Sequence, residues 1–152
     1  MRHLSLLLLL AACATVRPID RNADEAEVRA RLDRFLRDFE NLRWDPFRAT
    51  FADDACVFFP SAATPETKCG RDAVEARFTR EFDSIRAGAS APPYMKLEPK
   101  DLTVRSLSSD TVLVHFMLEN KSRVARRTMV FVRQGGEWRI THLHASNVPW
   151  PD

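Results

Sequence analysis

Three histidines, His115, His142 and His144, lie near the C-terminal end of the chain. His142 and His144 are two residues apart, so on a strand they share a face. Imidazole titrates near neutral pH, which suits such a pair to general acid–base chemistry. A His-x-His pair with a third histidine also has the look of a zinc triad. No cysteine or carboxylate stands beside the pair, however, so neither a metal nor a cofactor is expected. Asp54, in the Asp53-Asp54 pair, is the carboxylate candidate for proton transfer, although adjacent aspartates equally serve a turn. Isomerase chemistry that combines a carboxylate base with a tyrosine-containing oxyanion hole would have to recruit Tyr94, the only tyrosine.

The three cysteines divide by position. Residues 1–12 read MRHLSLLLLLAA, a short basic start followed by an apolar run. That run is far shorter than the ~20 residues that span a bilayer. Leu10-Ala11-Ala12-Cys13 matches a bacterial lipobox, in which the cysteine thiol is acylated and becomes the mature N-terminus. Residues 1–12 therefore read as a lipoprotein signal peptide, 13–21 as a tether containing Pro18, and 22–152 as one domain. The expected location is the bacterial cell envelope, on the periplasmic side of a membrane, with Cys13 as the lipid anchor. Cys56 and Cys69 then sit in an oxidising compartment and can form a disulfide. The alternative is a pair of buried thiols.

The chain has 152 residues, a formal net charge of +2, 45% hydrophobic and 29% charged residues. That is the mix of an ordinary single globular domain. The charge is not clustered, so nucleic acid is not an expected partner.

The elements that would position these residues follow from periodicity. Asn22 with Glu25 resembles a capping box. Val28, Leu32, Phe35, Leu36 and Phe39 then form one apolar stripe, predicting a helix to about Leu42. Asp45-Pro46 predicts a short helix to about Phe51. Residues 55–59 read as a strand and 61–68 as a polar loop. Val74, Phe78, Phe82 and Ile85 predict a helix over 71–87, with Gly88 at its end. Four strands follow, over 97–107, 111–119, 124–134 and 137–146, so the class is α+β.

The Gly135-Gly136 turn predicts a register. A two-residue hairpin pairs Gln134 with Glu137, and continuing the ladder sets Met129 opposite His142 and Arg127 opposite His144. Directly opposed side chains share a face. Arg127, Met129, Trp138, Ile140, His142 and His144 would thus face the core together, with Thr128, Val130, Val132 and Leu143 on the other side.

This order of elements, with Thr128–Arg133, Gly136–Ile140 and His142–Ser146, resembles the nuclear transport factor 2-like superfamily. The resemblance is to SnoaL-like domains and to the association domain of calcium/calmodulin-dependent kinase II. It covers about residues 22–151 and implies a cone: a curved antiparallel sheet wrapped on the long N-terminal helix, with a pocket at the wide end. The family includes enzymes and non-catalytic assembly modules, so the fold does not decide the function. The pocket arginines of the association domain fall at Met129, Leu118 and Ala145 here. Arg127, two residues from Met129, can supply a substitute charge.

The functional expectation is a pocket for a small, partly apolar, anionic molecule, lined by Arg127, His142, His144, Trp138, Met129 and Tyr94. A lyase or isomerase using His142, His144 or Asp54 is the alternative, and a non-catalytic dimeric assembly module the third reading. A homodimer through the outer sheet face is expected, because Thr128, Val130, Val132 and Leu143 would otherwise form an exposed apolar patch.

Overall fold

A computed structural model describes residues 20–60, 66–88, 90–120 and 123–149. The signal segment, Cys13 and most of the tether lie outside the described residues. Helix α1 (Arg21–Glu40) begins with Asp20, whose side chain accepts from the Ala23 backbone N–H at 3.1 Å. The cap is therefore Asp20 rather than Asn22. Glu25 is not part of a capping box either: its carboxylate accepts from the Ser106 N–H at 2.9 Å, tying the start of the helix to the sheet. Val28, Leu32, Phe35 and Leu36 are buried along one stripe, as the spacing predicts.

Helix α2 (Trp44–Arg48) starts before Asp45 and ends before Phe51, which opens strand β1 (Phe51–Phe59). Strand β2 (Glu66–Cys69) occupies part of the expected loop, and α3 (Arg71–Gly88) follows. Strands β3 (Lys100–Ser108), β4 (Thr111–Glu119), β5 (Arg123–Gln134) and β6 (Glu137–Pro149) complete the chain. The class is α+β, and the helices pack on one side of a curved, unclosed six-stranded sheet. The sheet order is β2-β1-β6-β5-β4-β3. All neighbours are antiparallel except β1 and β6, which run parallel.

The core is centred on phenylalanine. Phe47 of α2 is 1% exposed and touches Phe35, Phe39, Phe51, Phe78 and Phe82, with ring centroids 4.9–5.5 Å away. Cys56 and Cys69 are joined by a disulfide between paired residues of β1 and β2. It staples the short edge strand β2 to its neighbour.

The Gly135-Gly136 turn has positive φ at both residues (58° and 84°), the conformation a two-residue hairpin turn demands. Gln134 pairs with Glu137, Arg133 with Trp138 and Phe131 with Ile140, as predicted. The ladder then slips. Val130 pairs with His142, Met129 with Leu143, Thr128 with His144 and Arg127 with Ala145. Thr141 is an extra residue on β6, a β-bulge. Because side chains alternate along a strand, one inserted residue sends every later side chain to the opposite face. The expected grouping of Arg127 and Met129 with His142 and His144 is therefore corrected. Leu143 and Ala145 face inward in place of the histidines. Leu143 is 5% exposed and does not belong to the outer patch.

Candidate functional site

Between α1, α3 and the concave side of the sheet lies a cavity of about 570 Å³. Its lining can be followed in layers along the β4–β5–β6 ladder. The deepest lining layer holds Met129 and Leu143. Above it lie Phe116, Arg127 and Ala145, which are paired neighbours. Next come Leu118, Ala125 and Asn147, again paired across the strands. Glu119, Asn120 and Arg123 form the rim, with Met95, Lys96 and Leu97 on the segment opposite. The helices contribute Phe35 and Phe39 from α1 and Phe78 and Ile85 from α3.

The space has a simple origin. Ala125 and Ala145 occupy two adjacent positions of the β5–β6 wall, diagonal to one another, where their neighbours are Asn147 and Arg127. Alanine fills little of the layer, so the Arg127 side chain has open volume beside it. Met129, Leu118 and Ala145 are apolar and all line the cavity.

Arg127 is the charged feature of this wall. Its Nη1 donates to the Arg126 carbonyl at 2.8 Å and to the Ser146 carbonyl at 3.2 Å. No carboxylate among the described residues forms an ion pair with it. Burial, and then the like charge of Arg123, push its pKa down to about 10. It is still charged at neutral pH, and withdrawing even part of a guanidinium from water without a counter-anion is costly. Of the other cations lining the cavity, Arg123 and Lys96 lie toward its mouth and Arg77 is already satisfied. It bonds Glu66 and Glu81, both at 2.9 Å, and lies over the Phe59 ring at 4.7 Å.

The remaining sequence candidates lie elsewhere. His142 and His144 are on the convex face, next to Phe58, with ring centroids 5.5 and 5.6 Å away. His115, which is exposed, is cross-strand from Thr128 on that same face. Trp138 faces inward but at the closed end, below the cavity. Its Nε1 donates to Glu27 at 2.9 Å, and the Arg133 guanidinium covers its ring at 4.3 Å. Tyr94 is packed against the core outside the cavity lining, and its backbone N–H donates to the Glu40 carbonyl. Asp54 is exposed on β1, and Asp53 is ion-paired with Arg71. Of the six expected ligand-binding residues, only Arg127 and Met129 line the cavity. Sequence reasoning missed Asn147, Ala125 and the α1 and α3 wall. Asn147 carries no motif and could be placed only once the bulge was known.

The family of SnoaL-like domains matches residues 28–151, almost the whole described chain. The chain belongs to this family. Solved structures similar to this SnoaL-like domain share the nuclear transport factor 2-like fold. One is a protein of unknown function from Pseudomonas putida KT2440, 26% identical, with a TM-score of 0.67 over 82% of this chain and 87% of that one. A candidate dehydratase from Streptomyces avermitilis is 21% identical, with a TM-score of 0.66 over 84% and 97%. A candidate calcium/calmodulin-dependent protein kinase II association domain from Xanthomonas campestris is 22% identical, with a TM-score of 0.59 over 82% and 88%. No curated protein matches the sequence.

Proposed function

We propose that this SnoaL-like domain binds a small, largely apolar anion in its cavity, with Arg127 as the anchor for the negative group. The observation that carries this reading is the half-buried Arg127 guanidinium, bonded only to backbone carbonyls in an otherwise mostly apolar cavity. A carboxylate there would form a charge-assisted pair, stronger than a neutral hydrogen bond. The cavity is within the ~300–1,000 Å³ range of small-molecule sites. The probe is decanoate, with decanol as its neutral counterpart. Calorimetric titration should show decanoate binding at least tenfold tighter than decanol, and native mass spectrometry should show one molecule per chain. Equal affinity for the two would remove Arg127 from the account.

Proton-transfer catalysis through His142, His144 or Asp54 has no support from the geometry, because none of the three lines the cavity.

We also propose lipid anchoring through Cys13 at the cell envelope. The lipobox supports this, and the Cys56–Cys69 disulfide fits an oxidising compartment. Cys13→Ser should move the protein from the membrane fraction to the soluble one. Wild-type partitioning of the variant would sink the lipobox reading.

The third proposal is a homodimer through the convex sheet face. Val130, Val132 and Leu113 are half-buried there, and Phe58 is 41% exposed. A charge at the centre of an apolar interface is strongly unfavourable. Val130→Glu should therefore halve the mass measured by light scattering. A monomeric wild type at micromolar concentration would contradict the proposal.

A further inference from the structure

Arg127 has a polar neighbour that the anion alone does not satisfy. Asn147 is one layer nearer the rim, paired with Ala125 and diagonal to Arg127 on the same face. Diagonal cross-strand neighbours lie within side-chain reach, at ~7–8 Å between backbones. The Asn147 Oδ1 is buried and has no hydrogen-bond partner. Its amide makes no hydrogen bond with any described residue, although Asn147 lines the cavity. A buried amide oxygen left unbonded is costly, and native proteins seldom leave one so.

A simple carboxylate cannot relieve this, because it offers acceptors only. It could bond Arg127 and the Asn147 Nδ2, but the Asn147 Oδ1 would still lack a donor. A hydroxyl both donates and accepts, so it can bond the amide in either orientation. Ala125 and Ala145, at the other two corners of this four-residue patch, leave room for both groups.

We propose that the cavity is built for a hydroxy acid: a carboxylate on Arg127, a hydroxyl one or two carbons away on Asn147, and an apolar tail. The tail would lie against Phe35 and Phe39 of α1 and Phe78 and Ile85 of α3, the apolar wall facing the patch. This rests on the reading of Arg127 as an anion anchor and adds the functional group that distinguishes one amphipathic acid from another. Asn147 acts as a specificity residue.

The test is titration calorimetry of the whole protein with decanoate, 3-hydroxydecanoate and decanol. The hydroxy acid should bind the wild type about tenfold or more tightly than decanoate, since a site built for a hydroxyl rejects analogues lacking it. In Asn147→Leu the ratio of the two affinities should collapse to about one. Equal affinities for the two acids in the wild type would overturn the hydroxy-acid proposal while leaving the anion site standing, provided both outbind decanol. A preference that persists in Asn147→Leu would overturn the role of Asn147. Failure of both acids to outbind decanol would overturn the anion site, and the hydroxy-acid proposal with it. The wild-type comparison needs no variant, so the proposal remains testable even if Asn147→Leu does not fold.

Discussion

Arg127→Met should abolish the preference for decanoate over decanol and at the same time raise the melting temperature. The two effects have one cause. Burial holds the Arg127 pKa down at about 10, well below the ordinary value of an arginine, so the charged form is disfavoured in the fold. At ~1.4 kcal/mol per unit, the penalty is on the order of 3 kcal/mol. The two hydrogen bonds to the Arg126 and Ser146 carbonyls return about 1 kcal/mol each. Methionine keeps the apolar length of the stem and removes the penalty. The net gain should be about 1 kcal/mol, or a few degrees in Tm for a domain of this size.

The pH dependence has a definite sign. Below about pH 10 the guanidinium is charged in both folded and unfolded chains, so the penalty is present in full. It fades only as pH rises above about 10, toward the ordinary arginine value. The difference in Tm between variant and wild type should therefore be flat from pH 6 to 9. A lower Tm with unchanged decanoate affinity would show that Arg127 is a structural residue and not an anchor.

Phe47→Ala should be the most damaging single truncation in the core. Phe47 sits at the junction of both long helices and β1, with its ring against Phe35, Phe51, Phe78 and Phe82. Removing a fully buried phenylalanine costs about 3–5 kcal/mol, part transfer and part residual cavity. That approaches the whole stability of many domains. Its neighbours belong to three different elements, so no single side-chain shift can close the gap. Chemical denaturation should show a loss in this range. Leu107→Ala, at a position 53% exposed, should change stability by less than ~0.5 kcal/mol. A loss below 1 kcal/mol at Phe47 would mean that the aromatic cluster repacks.

The helices were legible because burial leaves a helical period in the sequence. Val28, Leu32, Phe35 and Leu36 are spaced as the buried face of α1 requires, and Val74, Phe78 and Phe82 do the same for α3. The β5–β6 turn was legible because only glycine readily adopts positive φ at both its central positions. The cap was ambiguous, since Asp20 and Asn22 are chemically equivalent candidates two residues apart. Strand β2 left no trace because its four residues alternate between exposed and half-buried at a sheet edge, so no apolar pattern marks it.

The bulge at Thr141 was the decisive omission. Threonine is a good strand residue and carries no breaker signal, yet it reverses the facing of everything after Ile140. Arg127 and Met129 precede the turn on β5, which keeps one phase throughout, and their inward facing was read correctly. His142 and His144 follow the bulge, and theirs was not. The cavity itself depends on Ala125 and Ala145 sharing a wall, which no local pattern encodes.

The parallel pairing of β1 with β6 also governs when the fold can form. Val57 is paired with Leu143, so the first long strand must wait for the last. A growing chain that has produced α1 through β5 still lacks the partner that covers one side of β1. The middle of the sheet would then be two open edges, the kind of surface on which strands of other chains can assemble. Contacts of such long sequence separation slow folding, because the loop must close before any of its contacts form. The final strand therefore acts as the keystone of the domain. It supplies Leu143, Ala145 and Asn147 to the cavity, so the cavity wall cannot exist before the sheet is complete.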